Sequence, residues 1–329
     1  MIVTSLKSNI QGSIIIILLL SIGLWLCTFA FVNPSSIVLN YKEHILYSYF
    51  FVNGFSFNVN QLITLLVILL GSFLVNVLAI EQEITSKTNY LPAFFYMLFS
   101  FSASTKSTVE PILTANLFIL PALYYLINSY RKDYALAEFF KAGLFMGLAT
   151  FFCIHYIVIF PLSFTAIIIL RSFNWREWSV LLLGLFTPLY ICVALAYLTT
   201  NNAFTVFLMM KEAASSIQTP IVSEYYFGFI ILIVIVFTFS IIRYLGKGFG
   251  GKVKTQKTKY ILLWMFFFCL LMVFFEQMSD MIFLPCIIPL SIIIADYLFE
   301  IKQLKIANTL LILFVGGFSF IYLHAMGII

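Results

Sequence analysis

The chain has 329 residues, of which 63% are hydrophobic and only 9% charged, with a formal net charge of +5. A water-soluble protein of this length needs far more polar surface than this composition supplies, so a soluble enzyme is excluded, and nucleic acid is excluded as a partner because the basic residues flank apolar runs. Apolar runs of about 18 residues or more recur, whereas membrane-barrel strands would alternate over about ten, so the predicted fold is all-α: a polytopic transmembrane helix bundle.

The first apolar run, Ser13 to Phe31, is too long for a signal-peptide core and lacks a small-residue cleavage site, so it is read as a retained helix near 13–32. Further helices are predicted near 61–80, 91–103, 111–129, 142–155, 157–170, 178–199, 225–242, 260–275, 281–299 and 307–323. That makes about eleven, some of them short, in one integral membrane domain over 1–329. Between the third and fourth stands Ser104-Thr-Lys-Ser-Thr-Val-Glu110, a polar turn followed by Pro111, which suits a first helical position. The stretch from Lys141 to Arg171 reads either as one long helix or as a hairpin of two short ones bending near His155 to Pro161.

Charge decides between the two. With a hairpin, 15 Lys and Arg fall on the side of the amino terminus, and three, Lys42, Lys106 and Lys211, on the other. With a single span, the loop from Arg243 to Lys259 moves away from Lys7, Arg131 and Lys132, against the bias of basic loops toward the cytoplasm. The expected topology therefore has the hairpin, a cytoplasmic amino terminus and basic loop, and an external carboxyl terminus. Arms of about 14 residues reach only about 21 Å, short of a hydrocarbon core of about 30 Å, so neighbours must shield them or they must line a cavity.

Cys27, Cys153, Cys192, Cys269 and Cys286 all lie inside apolar runs without a CxxC pair and are read as reduced packing residues. Gly246-Lys-Gly-Phe-Gly-Gly251 with Lys252 imitates a nucleotide-binding loop. It follows no strand, and Val253 stands where the magnesium-binding hydroxyl belongs, so a basic loop able to touch lipid head groups is the better reading. Asp296 is expected to pair with Lys302 or Lys305.

On the predicted outer face stand six acids, Glu43, Glu110, Glu212, Glu224, Glu276 and Asp280, against three lysines. An acid at a helix mouth is often only hydrated, and Glu110 is also favoured by the positive end of the helix it precedes. If two such acids converge, one can serve as general base toward an acceptor hydroxyl, or they can hold a divalent metal, while Lys42, Lys106 or His155 binds a phosphate. His155, at the bend, reads equally as a hydrogen-bonded structural residue.

The order of parts resembles the start of the GT-C superfamily of membrane glycosyltransferases: a first helix, a long outer loop with an early acid in Tyr41-Lys-Glu-His44, a second helix, a short third, then Glu110. The Gly-spaced Lys141-Ala-Gly-Leu-Phe-Met-Gly147, running to Leu170-Arg-Ser-Phe-Asn-Trp-Arg-Glu-Trp178, is similar to the short-helix region of that group. The likeness covers about residues 1–200, with 201–329 as carboxyl-terminal helices. It implies a polyprenyl-phosphate-linked sugar as substrate, Glu43 as base or metal ligand, and Glu110 as the second-loop acid. The acidic pair frequent in that family is replaced here by Lys42-Glu43-His44. The whole chain also resembles an uncharacterised family of multi-pass inner-membrane proteins from Bacteroidota. Two other functions remain open: a non-enzymatic membrane subunit of an envelope secretion or transport complex, and a transporter of lipid-linked precursors. Membrane lipids are expected partners in every case.

Overall fold

The computed structural model describes residues 6–7, 10–31, 57–103, 111–200, 206–208, 211, 227–246, 253–273, 284–301 and 303–325. The main helices are α1 (Ile10–Phe31), α2 (Phe57–Glu81), α3 (Leu91–Ala103), α4 (Pro111–Asn128), α5 (Leu136–Phe152), α6 (Pro161–Leu170), α7 (Trp175–Thr200), α8 (Phe227–Gly246), α9 (Val253–Val273), α10 (Ile287–Glu300) and α11 (Leu304–Ala325). No strand occurs among the described residues, and the molecule is an all-α bundle. Each stretch expected to be helical carries one of these helices, and a 3-10 helix, Ile154–Ile159, is added at the predicted bend. Among the described residues, four helical stretches are long and apolar enough to cross a membrane: Ile10–Cys27, Asn58–Glu81, Pro111–Asn128 and Trp175–Leu198.

The helices divide by what surrounds them. In α3 and α10 nearly every side chain from Leu91 to Phe101 and from Ile287 to Ala295 is buried, so both are apolar all round and form the centre of the bundle. They pack on each other, α2 closes over α3 on one side, and α11 reaches α3 on another. Phe95 of α3 meets Phe314 of α11 edge to face, with ring centres 5.5 Å apart. In contrast, α1 and α7 turn Leu19, Leu26, Leu183, Tyr190 and Leu198 outward, each more than half exposed. Apolar surface on that scale is stable only against lipid or another protein.

The stretch between Lys141 and Arg171 turns back on itself. Helix α5 ends at Cys153, whose extended backbone (φ −143°, ψ 109°) breaks the helical ladder. The six-residue 3-10 turn follows, and Pro161 opens α6 at a position where a missing N–H costs nothing. Arg171, just past α6, donates from Nη1 to the carbonyl oxygens of Ser129 (2.9 Å) and Lys132 (2.6 Å), the turn from which α5 departs. The hairpin is closed at its base by these bonds. Its arms are unequal: α5 has 17 residues, about 25 Å, and α6 only 10, about 15 Å.

Because the chain returns, α5 and the next long helix, α7, run in the same direction. They touch at glycines: a Cβ at Gly143 would lie 2.2 Å from Leu181 O, one at Gly147 2.6 Å from Leu185 O, and one at Gly184 2.3 Å from Phe140 O. Contacting residue numbers rise together along both helices, which makes the pair parallel. Backbones this close are possible only where neither side carries a side chain.

Candidate functional site

Two regions gather polar chemistry, one at each end of the bundle. At the hairpin apex, Tyr156 is buried among apolar neighbours, and its hydroxyl donates to Asn116 Oδ1 of α4 at 2.6 Å, with Ile112 O at 3.3 Å as a weaker acceptor. Asn116, fully buried, donates in turn through Nδ2 to Leu284 O, just before α10, at 3.4 Å. A polar side chain in an apolar helix is costly unless paired, and this chain of bonds ties the apex to the first turns of α4 and to the approach of α10. His155 is half-buried beside it, with Nδ1 4.0 Å from Cys153 Sγ.

A second polar strip lies on α2, where Asn60, Thr64, Ser72 and Asn76 recur at multiples of four residues and are all buried. Asn60 with Thr64 and Ser72 with Asn76 each share a face, while the row as a whole winds part-way round the helix. Gln61 is also buried. Its backbone carbonyl accepts from Trp25 Nε1 at 3.1 Å, while neither side-chain amide atom finds a hydrogen-bond partner among the described residues. Tyr96 of α3 fills the space above Gly71, where an added Cβ would come within 2.6 Å of its hydroxyl oxygen. That hydroxyl faces Ser100, yet the two do not close a hydrogen bond of good geometry.

The other end is basic. Lys7 donates to Phe299 O at 3.0 Å, Tyr90 N–H to Leu6 O at 2.9 Å, and Gln82 Nε2 to Asn128 Oδ1 at 3.1 Å. Lys257 donates to Leu170 O at 3.1 Å, and Lys259 pairs with Asp296 at 3.1 Å. These contacts bring the amino terminus, the 82–90 loop, the α4–α5 turn, the base of the hairpin and the start of α9 to one level. Asp296, expected to pair with Lys302 or Lys305, meets Lys259 of the neighbouring α9, which packs beside α10. Lys302 lies outside the described residues. Partial burial lowers the Lys7 ammonium below its ordinary range, and the hydrogen bond from Lys132 holds the Glu138 carboxyl below its own.

Of the five candidate site residues, Glu43, Glu110, Lys42, Lys106 and His155, only His155 falls among those described. Glu43, Glu110, Lys42 and Lys106, with Glu212, Glu224, Glu276 and Asp280, lie outside them. Among the described residues no group of three or more His, Cys, Asp or Glu side chains is arranged to hold a metal. Sequence reasoning missed Asn116, Tyr156 and Gln61. The first carried a signal, a lone amide in Ile112-Leu-Thr-Ala-Asn-Leu-Phe118, but its partners are 40 and 168 residues away and cannot be read from it.

No curated protein and no solved structure matches the chain. A family model described as a family of unknown function, DUF6427, matches residues 35–328. That match takes in the apex, the α2 strip and the basic end except for Leu6 and Lys7, and the chain belongs to this family of unknown function.

Proposed function

We propose that the chain is a multi-pass protein of a bacterial inner membrane, with its basic end in the cytoplasm, and that the opposite end transfers a sugar from a polyprenyl-phosphate carrier in the manner of the GT-C enzymes. The observation that supports this reading is the Tyr156–Asn116 bond. It holds the hairpin apex, which carries His155, against the first turns of α4, whose opening residue Pro111 is joined directly to Glu110. In the reaction, Glu43 takes the proton of the acceptor hydroxyl as its oxygen bonds to the anomeric carbon. The carbon–oxygen bond to the carrier phosphate breaks, and Lys42, Lys106 and His155 stabilise the departing phosphate. Glu110 supports Glu43, either by polarising the acceptor or through a divalent cation. The unpaired amide of Gln61 and the hydroxyls near it are suited to sugar hydroxyls.

The test uses Glu43→Gln, Glu110→Gln and the double variant in the native host, with membrane insertion checked by fractionation and envelope glycans profiled. Loss of a base lowers the rate by about a hundredfold or more, so the glycan product should disappear while the inserted protein persists. A normal glycan profile from the double variant would remove the enzyme. If the protein then co-purifies stoichiometrically with an envelope complex in mild detergent, the subunit function takes its place.

A further inference from the structure

Six cations at the basic end lie over aromatic rings: Lys7 over Phe299, Arg131 over Tyr130, Lys141 over Tyr125, Arg176 over Trp175, Arg243 over Tyr297 and Lys257 over Tyr130. Tyr130 carries two of them. The Arg131 guanidinium is 5.3 Å from its ring centre and the Lys257 ammonium 5.1 Å, so two like charges meet one ring. Two nearby acids are already engaged: Glu138 is paired with Lys132, and Glu177 receives Arg171 Nη2 at 3.1 Å, while Asp133 makes no ion pair among the described residues.

Three further facts add to the positive charge or fix its position. Lys257 and Lys254 stand in the first turns of α9, which has no acid in its first turn, so they add to the positive end of the helix dipole instead of compensating it. Arg131 adopts a left-handed backbone, φ 58°, a conformation that an L residue with a long side chain takes only when held there. Around the cluster, Tyr134, Phe173 and Trp175 are 89, 74 and 65% exposed, and aromatic side chains of this kind settle at the level of lipid head groups.

We infer that Tyr130, Arg131 and Lys257 form a binding site for the phosphodiester of an anionic phospholipid, seated between the α4–α5 turn, the end of α6 and the start of α9. The inference rests on the chain's crossing a membrane and is independent of any sugar transfer. The phosphate would be held by the two cations that flank the Tyr130 ring. The lipid tails would run along the exposed apolar residues of the adjoining helices.

Protein purified in mild detergent and stripped of lipid is titrated with phosphatidylglycerol or phosphatidylcholine, and retained lipid is counted by native mass spectrometry. The native chain should hold at least one phosphatidylglycerol about tenfold or more tightly than phosphatidylcholine. Arg131→Gln should weaken this several-fold, and Arg131→Gln with Lys257→Gln should abolish the preference, while Lys305→Gln, a cation of α11, leaves it intact. Arg131 is solvent-exposed and touches the Tyr130 ring, so its single variant tests the site without disturbing the hairpin. Equal retention of the two lipids by the native chain, or an unchanged preference in the double variant, overturns the site. So does a thermal shift from inorganic phosphate as large as that from phosphatidylglycerol, because the ligand would then not be lipid. Release of the chain from membranes by alkaline carbonate would overturn the membrane placement itself, a failure distinct from these.

Discussion

Arg171 shows how one residue can decide a local topology. Its guanidinium closes the base of the hairpin through two carbonyl oxygens and an ion pair with Glu177, whose side chain is only 4% exposed. Five fixed donors suit this role, and a lysine could not satisfy three acceptors in one plane. Replacing Arg171 by Met strands the buried Glu177 carboxylate and should cost about 3–5 kcal/mol in unfolding measurements in detergent. Arg171→Met with Glu177→Leu should recover most of that loss, because the buried charge goes with its partner. If the double variant were no more stable than the single one, the carbonyl bonds and not the ion pair would hold the hairpin. In sequence, Arg171 is visible only as one of 15 basic residues of one side, and nothing there separates a structural arginine from a lipid-facing one.

At the scale of the element, the glycines of α5 and α7 matter more than either helix's apolar pattern. Spacing alone suggests that Gly143 and Gly147 permit close approach, and the crossing confirms it, but the partner Gly184 emerges only from the parallel packing. Gly143→Ala and Gly184→Ala each place a methyl against backbone carbonyl oxygen, which cannot rotate aside, and should destabilise by about 1–3 kcal/mol or more. Gly23→Ala on α1 meets nothing within 4 Å and should be neutral or stabilising by about 0.5–1 kcal/mol through helix propensity. Thermal unfolding of the three variants side by side checks this, and equal effects at Gly23 and Gly143 would refute the close crossing. The 3-10 turn was not legible in the same way. A proline at 161 signals a boundary, but which carbonyls the preceding six residues bond to depends on the bend that α9 and α4 pack against.

For the whole molecule, the returning hairpin sets the parity of everything after it. Among the described residues, Lys7, Lys87, Arg131, Arg171, Arg243 and Lys257 belong to the amino-terminal side of that topology, and contacts join most of them at one end of the bundle. In the proposed orientation this end faces the cytoplasm, as the bias of basic loops favours. Single cysteines introduced into a cysteine-free chain at Tyr134 and Lys254 should resist a membrane-impermeant maleimide in intact cells, and one at Lys106 should react. The reverse pattern would invert the proposed orientation and move every outer-face role with it.

The amino-acid sequence by itself determined that the chain is helical and apolar, where its main helices lie, and that its charges are unequally shared between two sides. Those properties are carried by composition and by the length of apolar runs, which need no partner to be read. Only the tertiary structure decided that α3 and α10 are the buried centre, that Asn116 meets Tyr156, and that Lys259 supplies a cation beside Asp296. In a chain this uniformly apolar, burial leaves no periodic trace: a helix facing lipid and a helix facing protein are written in the same residues, and only packing tells them apart.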